Sequence, residues 1–293
     1  MTRSGFLALA GRPNVGKSTF VNAVVGEKVA IVSDRPQTTR RAIRGIHQSG
    51  ERQMVLVDLP GVQRPRDALT ARMARRVQHE LEGADATLLM LAADQGVGPG
   101  DRFIAAALAE VSGLVTIAVN KVDRVPRHAL MKVLEQAAEL DASAEVFPIS
   151  ARRGSGMQEL VEHLVALMPE GPFMFERESR TDQSRELLLA ELIREAIIRR
   201  TFQELPHAVE VVVEEIDAPR SGLVRVRALI WVESDSQKGI IIGAHGRMIK
   251  AIGSAARREL QRLLGCQVHL ELSVRVRRDW RSDEALLDRL GIT

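Results

Sequence analysis

The sequence predicts an α/β chain in which a doubly wound, mostly parallel sheet is followed by a smaller α+β module. Three observations carry this reading. Up to about residue 168, short apolar runs alternate with helix-period patterns, the signature of strands joined by crossover helices. Beyond Pro169-Glu170-Gly171-Pro172, a strong breaker, the pattern changes to longer period-two strands. Aromatic residues make up 3% of the 293 residues, with no tyrosine. The cores must therefore be built from Val, Ile, Leu and Ala, which suits strands covered on both faces.

In order, strands are expected at 5–10, 42–48, 53–59, 87–92, 115–120 and 145–149. Helices are expected at 17–25, 69–82, 101–111, 127–140 and 157–167. The polar stretch 176–184 reads as the end of a linker. A helix at about 184–201 then precedes two alternating strands. In the second, Val224, Val226, Ala228, Ile230 and Val232 share a face opposite Arg225 and Arg227. Residues 247–264 place Ile249, Ile252, Ala256, Leu260 and Leu263 at helical spacing. A third strand puts Val268, Leu270, Leu272, Val274 and Val276 on one face, and 283–290 forms a last short helix. The second module thus runs α-β-β-α-α-β plus a tail. The units are 1–168, a linker at 169–183, and 184–293.

Composition narrows the class. At 45% hydrophobic and 27% charged, the chain reads as a soluble globular protein. The lone Cys266 excludes an internal disulfide and a Cys-rich zinc site, and a reducing cytoplasm is the natural setting. No run approaches the ~18 apolar residues of a membrane span. The apolar start Phe6-Leu7-Ala8-Leu9-Ala10 is too short for a signal peptide and reads as a buried first strand. Residues 237–293 hold 11 Lys+Arg against 6 Asp+Glu, whereas the rest holds 30 against 32. The basic character lies at the C-terminal end, where it is either a polyanion-binding surface or a solvated basic face.

Chemistry concentrates at the ends of the predicted strands. Gly11-Arg12-Pro13-Asn14-Val15-Gly16-Lys17-Ser18 follows a strand and opens a helix, the setting a phosphate loop requires. Its glycines, with Val15 between them, let backbone N–H groups turn around a β-phosphate at a helix N-terminus. Lys17 is expected to reach the β- and γ-phosphates, and Ser18, followed by Thr19, to bind Mg²⁺. Asp58-Leu59-Pro60-Gly61 ends another strand; Asp58 can hold Mg²⁺ through water, and the Gly61 N–H can meet the γ-phosphate. Asn120-Lys121-Val122-Asp123 ends a third. The Asp123 carboxylate can accept both N1–H and N2–H of guanine, which adenine cannot supply, while Asn120 braces and Lys121 covers the base. Ser150-Ala151-Arg152 supplies a base-contacting loop, with the Ala151 N–H expected to face guanine O6. The phosphate loop is specific in this setting; each of the other three motifs alone is weak, but all four in order at strand ends specify a guanine-nucleotide site.

Gly-x-Pro-Asn-Val-Gly-Lys-Ser-Thr, Asp-x-Pro-Gly and Asn-Lys-x-Asp resemble the translational-factor-related GTPases. Ser33-Asp34-Arg35-Pro36-Gln37-Thr38-Thr39-Arg40 resembles the switch I segment of the Era family. That resemblance implies that one of the paired threonines completes the Mg²⁺ shell, and alignment favours Thr39. The usual Ser-Ala-Lys is Ser-Ala-Arg here, which changes the residue flanking the base. In Ras-like proteins a glutamine after the Asp-x-x-Gly glycine orients the attacking water; here that position is Val62, with Gln63 beyond it. Slow intrinsic hydrolysis is expected, with Lys17, Asn14, Thr39 and Gly61 forming the catalytic set. Asn14 has two open readings: a ligand for K⁺ beside the β- and γ-phosphates, or a structural asparagine of the loop.

Gly239-Ile240-Ile241-Ile242-Gly243-Ala244-His245-Gly246-Arg247-Met248-Ile249-Lys250 joins an apolar turn, a Gly-x-x-Gly loop and a basic helix start. Within the α-β-β-α-α-β order it resembles a KH module (type II), whose loop approaches a nucleic-acid backbone while the adjoining groove reads unpaired bases. The RNA-binding set is Lys238, Gly243, Ala244, His245, Gly246, Arg247 and Lys250. The family loop usually carries lysine where Ala244 stands, so one phosphate contact is missing. The Era resemblance covers nearly the whole chain, through Val276-Arg277-Arg278-Asp279-Trp280-Arg281 and Leu286-Leu287-Asp288-Arg289-Leu290-Gly291. It implies a GTP/GDP switch that binds 16S ribosomal RNA near its 3′ end and acts in 30S subunit assembly. It also implies a cytoplasmic protein with peripheral contact to the inner face of the cell membrane; a monomer is expected.

Overall fold

In the computed structural model, residues 1–33, 39–61, 67–111, 113–202 and 205–292 are described, with only the backbone at 206 and 207. The first half is a six-stranded sheet in the order β2-β3-β1-β4-β5-β6. Its strands are β1 (Arg3–Ala10), β2 (Ile43–Ser49), β3 (Arg52–Asp58), β4 (Ala86–Ala92), β5 (Leu114–Asn120) and β6 (Glu145–Pro148). Only β2 runs antiparallel to its neighbour, β3.

Helices α1 (Lys17–Val25) and α5 (Met157–Ala166) pack on one face through Phe20, Val21, Leu160 and Leu164. Helices α2 (Ala68–Glu82), α3 (Pro99–Ala109) and α4 (Arg127–Ala138) cover the other through Val77, Ile104, Leu108 and Val133. β4 is buried along its whole length, which is why it reads as a continuous apolar run rather than an alternating one. The sheet is the doubly wound one expected, with strand ends shifted by a residue or two.

Residues 169–183 are stitched to this sheet. The Ser4 N–H donates to Pro169 O (3.0 Å) and the Ile46 N–H to Arg180 O (2.8 Å). The Gln53 amide, with its residue fully buried, donates to Phe175 O (2.9 Å) and accepts from the N–H groups of Met174 and Phe175. The polar composition that marks a linker says nothing of these long-range partners.

The second half begins with α6 (Arg185–Ile198) and the one-turn α7 (Leu205–Ala208). Strands β7 (Glu210–Arg220), β8 (Leu223–Val232) and β9 (Gln267–Val276) form a sheet with β8 central, antiparallel to β7 and parallel to β9. Helices α8 (Asp235–Ile242) and α9 (Arg247–Leu264) cover it, and α10 (Glu284–Arg289) closes the tail. Val224, Val226, Ala228, Ile230 and Val232 are buried, with Arg225 and Arg227 outside, as the alternation requires. Ile252, Ala256 and Leu260 form the buried stripe of α9.

α6 is buried on all sides from Leu189 to Ile198, because it packs on β7 and α9 while its charged residues meet the first half. Ile31, which belongs by sequence to the first half, is part of the core of the second. The tail returns to α2: Trp280, Leu286, Leu287 and Ile292 cluster with Leu69 and Met73.

Candidate functional site

A cleft of about 380 Å³ opens at the carboxyl ends of β1, β3, β5 and β6. Its lining includes Asn14, Gly16, Lys17, Ser18, Thr19, Thr39, Gly61, Asn120, Lys121, Asp123, Ser150 and Arg152, so most of the residues chosen from the sequence share one wall. Gly11, Val15, Asp58 and Ala151 lie behind it, all buried.

The phosphate loop is held by backbone conformations that only a few residues tolerate. Gly16 has φ 109°, and a Cβ there would fall 2.2 Å from Asn120 Nδ2. That amide donates to Val15 O (2.9 Å), and Asn120 Oδ1 accepts the Ala151 N–H (3.0 Å). Asn120 therefore ties the phosphate loop to the base loop. The Ala151 N–H expected to face guanine O6 is thus the one that donates to Asn120 here. Asn14 has φ 66°, a left-handed conformation that asparagine adopts more readily than most residues. This gives the structural reading of Asn14 a concrete cause.

Lys17 is buried, and its ammonium donates to Gly11 O (3.0 Å) and Arg12 O (3.1 Å). Burial lowers its pKa, opposed by Asp58. Asp58 is fully buried at the end of β3, and burial raises its pKa against the opposing pull of Lys17, Ser18 and Thr39. The Ser18 hydroxyl donates to Asp58 Oδ2 (2.5 Å) and lies 3.3 Å from Thr39 Oγ1, which lies 3.4 Å from the same carboxylate oxygen. The three residues chosen as metal ligands thus converge. Asp58 Oδ1 is buried with no hydrogen-bond partner among the described residues. Two hydroxyls and a carboxylate with an orphaned oxygen are the hard donors that suit Mg²⁺.

At the base end, Asp123 Oδ1 accepts the Ser150 hydroxyl (2.6 Å), which holds this carboxyl below its usual range. Arg153 Nε lies 3.5 Å from Asp123 Oδ2, a neighbour the sequence reading did not include. Lys121, at φ 65°, points its ammonium to Asp94 (3.4 Å). Val62 and Gln63, on which the expectation of slow turnover rests, lie outside the described residues, as do residues 34–38 of the switch I segment.

Sequence reasoning missed what surrounds Thr39. Arg40, fully buried, donates to Val209 O (2.7 Å) and Glu210 Oε2 (2.6 Å), and its guanidinium lies over Trp280 at 5.3 Å. Arg41 reaches Glu191 and Glu210 (both 3.2 Å) and donates to Leu290 O (2.7 Å). Burial alone would raise the Glu210 carboxyl, but Arg41, Arg40 and Arg194 pull it well below the usual carboxylate range. These partners lie 150 to 249 residues away. The only local signal was a pair of arginines beside a candidate metal ligand.

The second candidate site is the turn joining α8 to α9. Gly243 (φ 70°) and Gly246 (φ 72°) both need the left-handed region, and a Cβ on Gly243 would meet Met248 Cβ at 2.7 Å. Gly246 caps α9 without a side-chain acceptor, so the first-turn amides of an 18-residue helix face the loop. Ala244, His245, Arg247 and Lys250 are exposed, Lys238 is half-buried, and Ile240 and Ile242 present apolar side chains beside the loop. The local arrangement is a positive-φ glycine turn at a helix N-terminus, flanked by exposed basic and apolar side chains.

Residues 6–121 match the family described as 50S ribosome-binding GTPase, and residues 204–281 match the KH domain. The chain is 43% identical to GTPase Era of Lactobacillus helveticus over 99% of its own length and 96% of that protein. It is 44% identical to GTPase Era of Mycobacterium leprae, covering 99% and 98%. Two solved structures superpose over the full length of both chains at TM-score 0.95 and 33% identity. One is an Aquifex aeolicus Era variant bound to GDP and AlF4⁻; the other is Era with MgGDPNP and nucleotides 1506–1542 of 16S ribosomal RNA.

Proposed function

The chain belongs to the Era family of GTPases, and on that premise we propose that it is a GTP-hydrolysing switch controlling its own grip on 16S ribosomal RNA. One observation carries the coupling: Thr39, beside Ser18 and Asp58, is followed directly by two arginines bonded into the second half. Ser18, Thr39 and Asp58 would hold Mg²⁺, which when bound neutralises charge on the β- and γ-phosphates. Lys17 leaves its loop carbonyls for those phosphates, and Gly61 offers its N–H to the γ-phosphate. Asp123, kept ionised by Ser150, accepts from guanine, while Asn120 keeps the phosphate and base loops in register. Ordering Thr39 shifts Arg40 and Arg41 against Glu191 and Glu210, and so shifts the docking of the RNA-binding half. The coupling runs both ways.

In the second half, the Gly243–Gly246 turn, with Lys238, Ala244, His245, Arg247 and Lys250, would grip the RNA backbone near the 3′ end of 16S ribosomal RNA during 30S assembly. The solved Era complex with an RNA fragment of that region supports this reading. The proposed units are 1–168 and 184–293, joined by 169–183, and separate apolar cores support the division. Family resemblance alone carries the proposals of a cytoplasmic monomer with peripheral membrane contact. Among the described residues no helix is long and apolar enough to cross a membrane. K⁺ beside Asn14 is a further proposal. It is tested by hydrolysis in K⁺ against Na⁺ with Asn14→Gly, which keeps the left-handed backbone and removes the amide; equal rates for the unaltered chain in both salts end it.

The function is tested by measuring affinity for an RNA containing the 3′ end of 16S ribosomal RNA, with a GTP analogue and with GDP. A nucleotide-dependent affinity that vanishes in Gly246→Asp is expected. RNA affinity unchanged by Gly246→Asp would contradict the RNA-binding assignment.

A further inference from the structure

The residues assigned to the nucleotide cleft all come from the first half of the chain. Arg199, at the end of α6 in the second half, lines the same cleft as Lys17, Thr39 and Asp123. Its placement is fixed by a relay. Glu195, only 2% exposed at its side chain, accepts the Val32 N–H (3.2 Å) and the Lys28 ammonium (2.5 Å). Arg199 Nη2 donates to the same carboxylate (2.7 Å) and to Val32 O (3.4 Å). With Ile31 packed in the core of the second half, the stretch entering switch I is clamped to α6, and the arginine is carried to the cleft edge.

The rest of the Arg199 guanidinium is uncommitted. Both contacts use Nη2, so Nε and Nη1 have no hydrogen-bond partner among the described residues, and the side chain stays 53% exposed. The other cations lining the cleft stand differently: Lys17 lies on loop carbonyls, Lys121 and Arg124 pair with Asp94, and Arg152 is exposed in the base loop. The acidic lining residue is Asp123. A cleft with this excess of cations suits a polyanion, and a planar guanidinium with spare donors suits a phosphate group.

We propose that Arg199 is a nucleotide-binding residue that contacts a phosphate of the bound guanine nucleotide, so that the second half of the chain completes the nucleotide cleft. This rests on the reading of the cleft as a guanine-nucleotide site. Docking of α6 and nucleotide affinity are then linked directly, apart from the route through Thr39. Nucleotide held in the cleft stabilises the docked arrangement, and a partner that pulls α6 away loosens the nucleotide.

The test uses the full chain and measures the dissociation constant of GDP for the unaltered protein and for Arg199→Lys, Arg199→Gln and Arg199→Ala, with guanosine as competitor and melting temperature as a control. The expected result is a roughly tenfold weaker GDP affinity in the Gln and Ala variants, near-normal affinity in Lys, and guanosine binding changed less than about twofold. Gln keeps a donor for Val32 O but no charge. GDP affinity near normal in Gln would therefore reduce Arg199 to a clamp on the loop and overturn the proposal. So would equal losses for GDP and guanosine, or no loss in Ala. Asp123→Ala is measured in parallel. If it leaves GDP binding intact, the guanine-site reading itself fails, which is distinct from an inert Arg199.

Discussion

The nucleotide cleft and the Gly243–Gly246 turn both depend on glycines at positive φ, yet they are built in opposite ways. In the cleft, each key side chain is braced by a residue distant in sequence: Asn120 by Val15 and Ala151, Ser18 by Asp58, Thr39 by both. In the turn, the backbone sets the shape locally, and the side chains at 244, 245, 247 and 250 stay exposed. Changes in the cleft should therefore disturb stability, nucleotide and coupling together. Changes in the turn should disturb RNA alone.

Gly16→Ala presses hardest on that contrast. Its Cβ would displace Asn120 from between the two loops while the backbone sits at φ 109°. A loss of nucleotide affinity of at least about a hundredfold is expected, with about 1–3 kcal/mol of stability, measured by nucleotide titration and denaturant unfolding. Normal GDP binding by this variant would remove Asn120 from the bracing role.

Gly243→Ala is the matching change in the turn, with its new Cβ against Met248. RNA affinity should fall by about tenfold or more as the loop backs away from the RNA backbone, while the GDP affinity of the same preparation stays within about twofold. A parallel loss of GDP binding would break the distinction between the two regions.

The buried cluster joining the halves has its own pH signature. Glu210 is held below the usual carboxylate range by the arginines around it. Its stabilisation is fully present above the unfolded value of ~4.3 and is lost as pH falls below it. Glu210→Gln leaves Arg40 and Arg41 short of a charged partner and should cost about 3 kcal/mol at neutral pH. Its melting temperature should then fall less between pH 6 and pH 3 than that of the unaltered chain. Identical slopes would mean that other carboxylates dominate acid unfolding. Lys250→Ala should give the smallest effect: a uniform, few-fold loss of RNA affinity, with the salt dependence reduced by about 0.7 in log–log slope for one lost phosphate contact to a single strand.

Much of this was legible in the chain. The strand positions of the first half followed from apolar runs and phosphate-loop context, and the face of β8 from strict alternation at Val224, Val226 and Ala228. Ser18 and Asp58 could be grouped from the motifs at strand ends, and Thr39 joined them through the family resemblance of its segment. The engagement of the Ala151 N–H by Asn120 was not legible, since it depends on the rotamer of a side chain 31 residues away. Nor were the roles of Ile31, Arg41, Glu195 and Arg199. Ile31 sits in a short apolar run, Arg41 beside a loop segment and Glu195 and Arg199 in or at the end of a helix, none within a motif, and they acquire meaning only when α6 meets the first half. The left-handed backbone of Asn14 makes glycine the informative replacement there, because alanine would add strain to the loss of the amide.

The proposed coupling runs from nucleotide state to RNA grip through the residues after Thr39. The most direct measurement is RNA affinity with a GTP analogue and with GDP, for the unaltered chain and for Arg41→Ala, which removes the segment's bonds to Glu191 and Leu290 and one of its two to Glu210. A difference of about 5- to 100-fold between the two nucleotide states is expected in the unaltered chain, collapsing toward unity in the variant while GDP is still bound. Equal RNA affinity in both nucleotide states of the unaltered chain, or a full difference surviving Arg41→Ala, would contradict it.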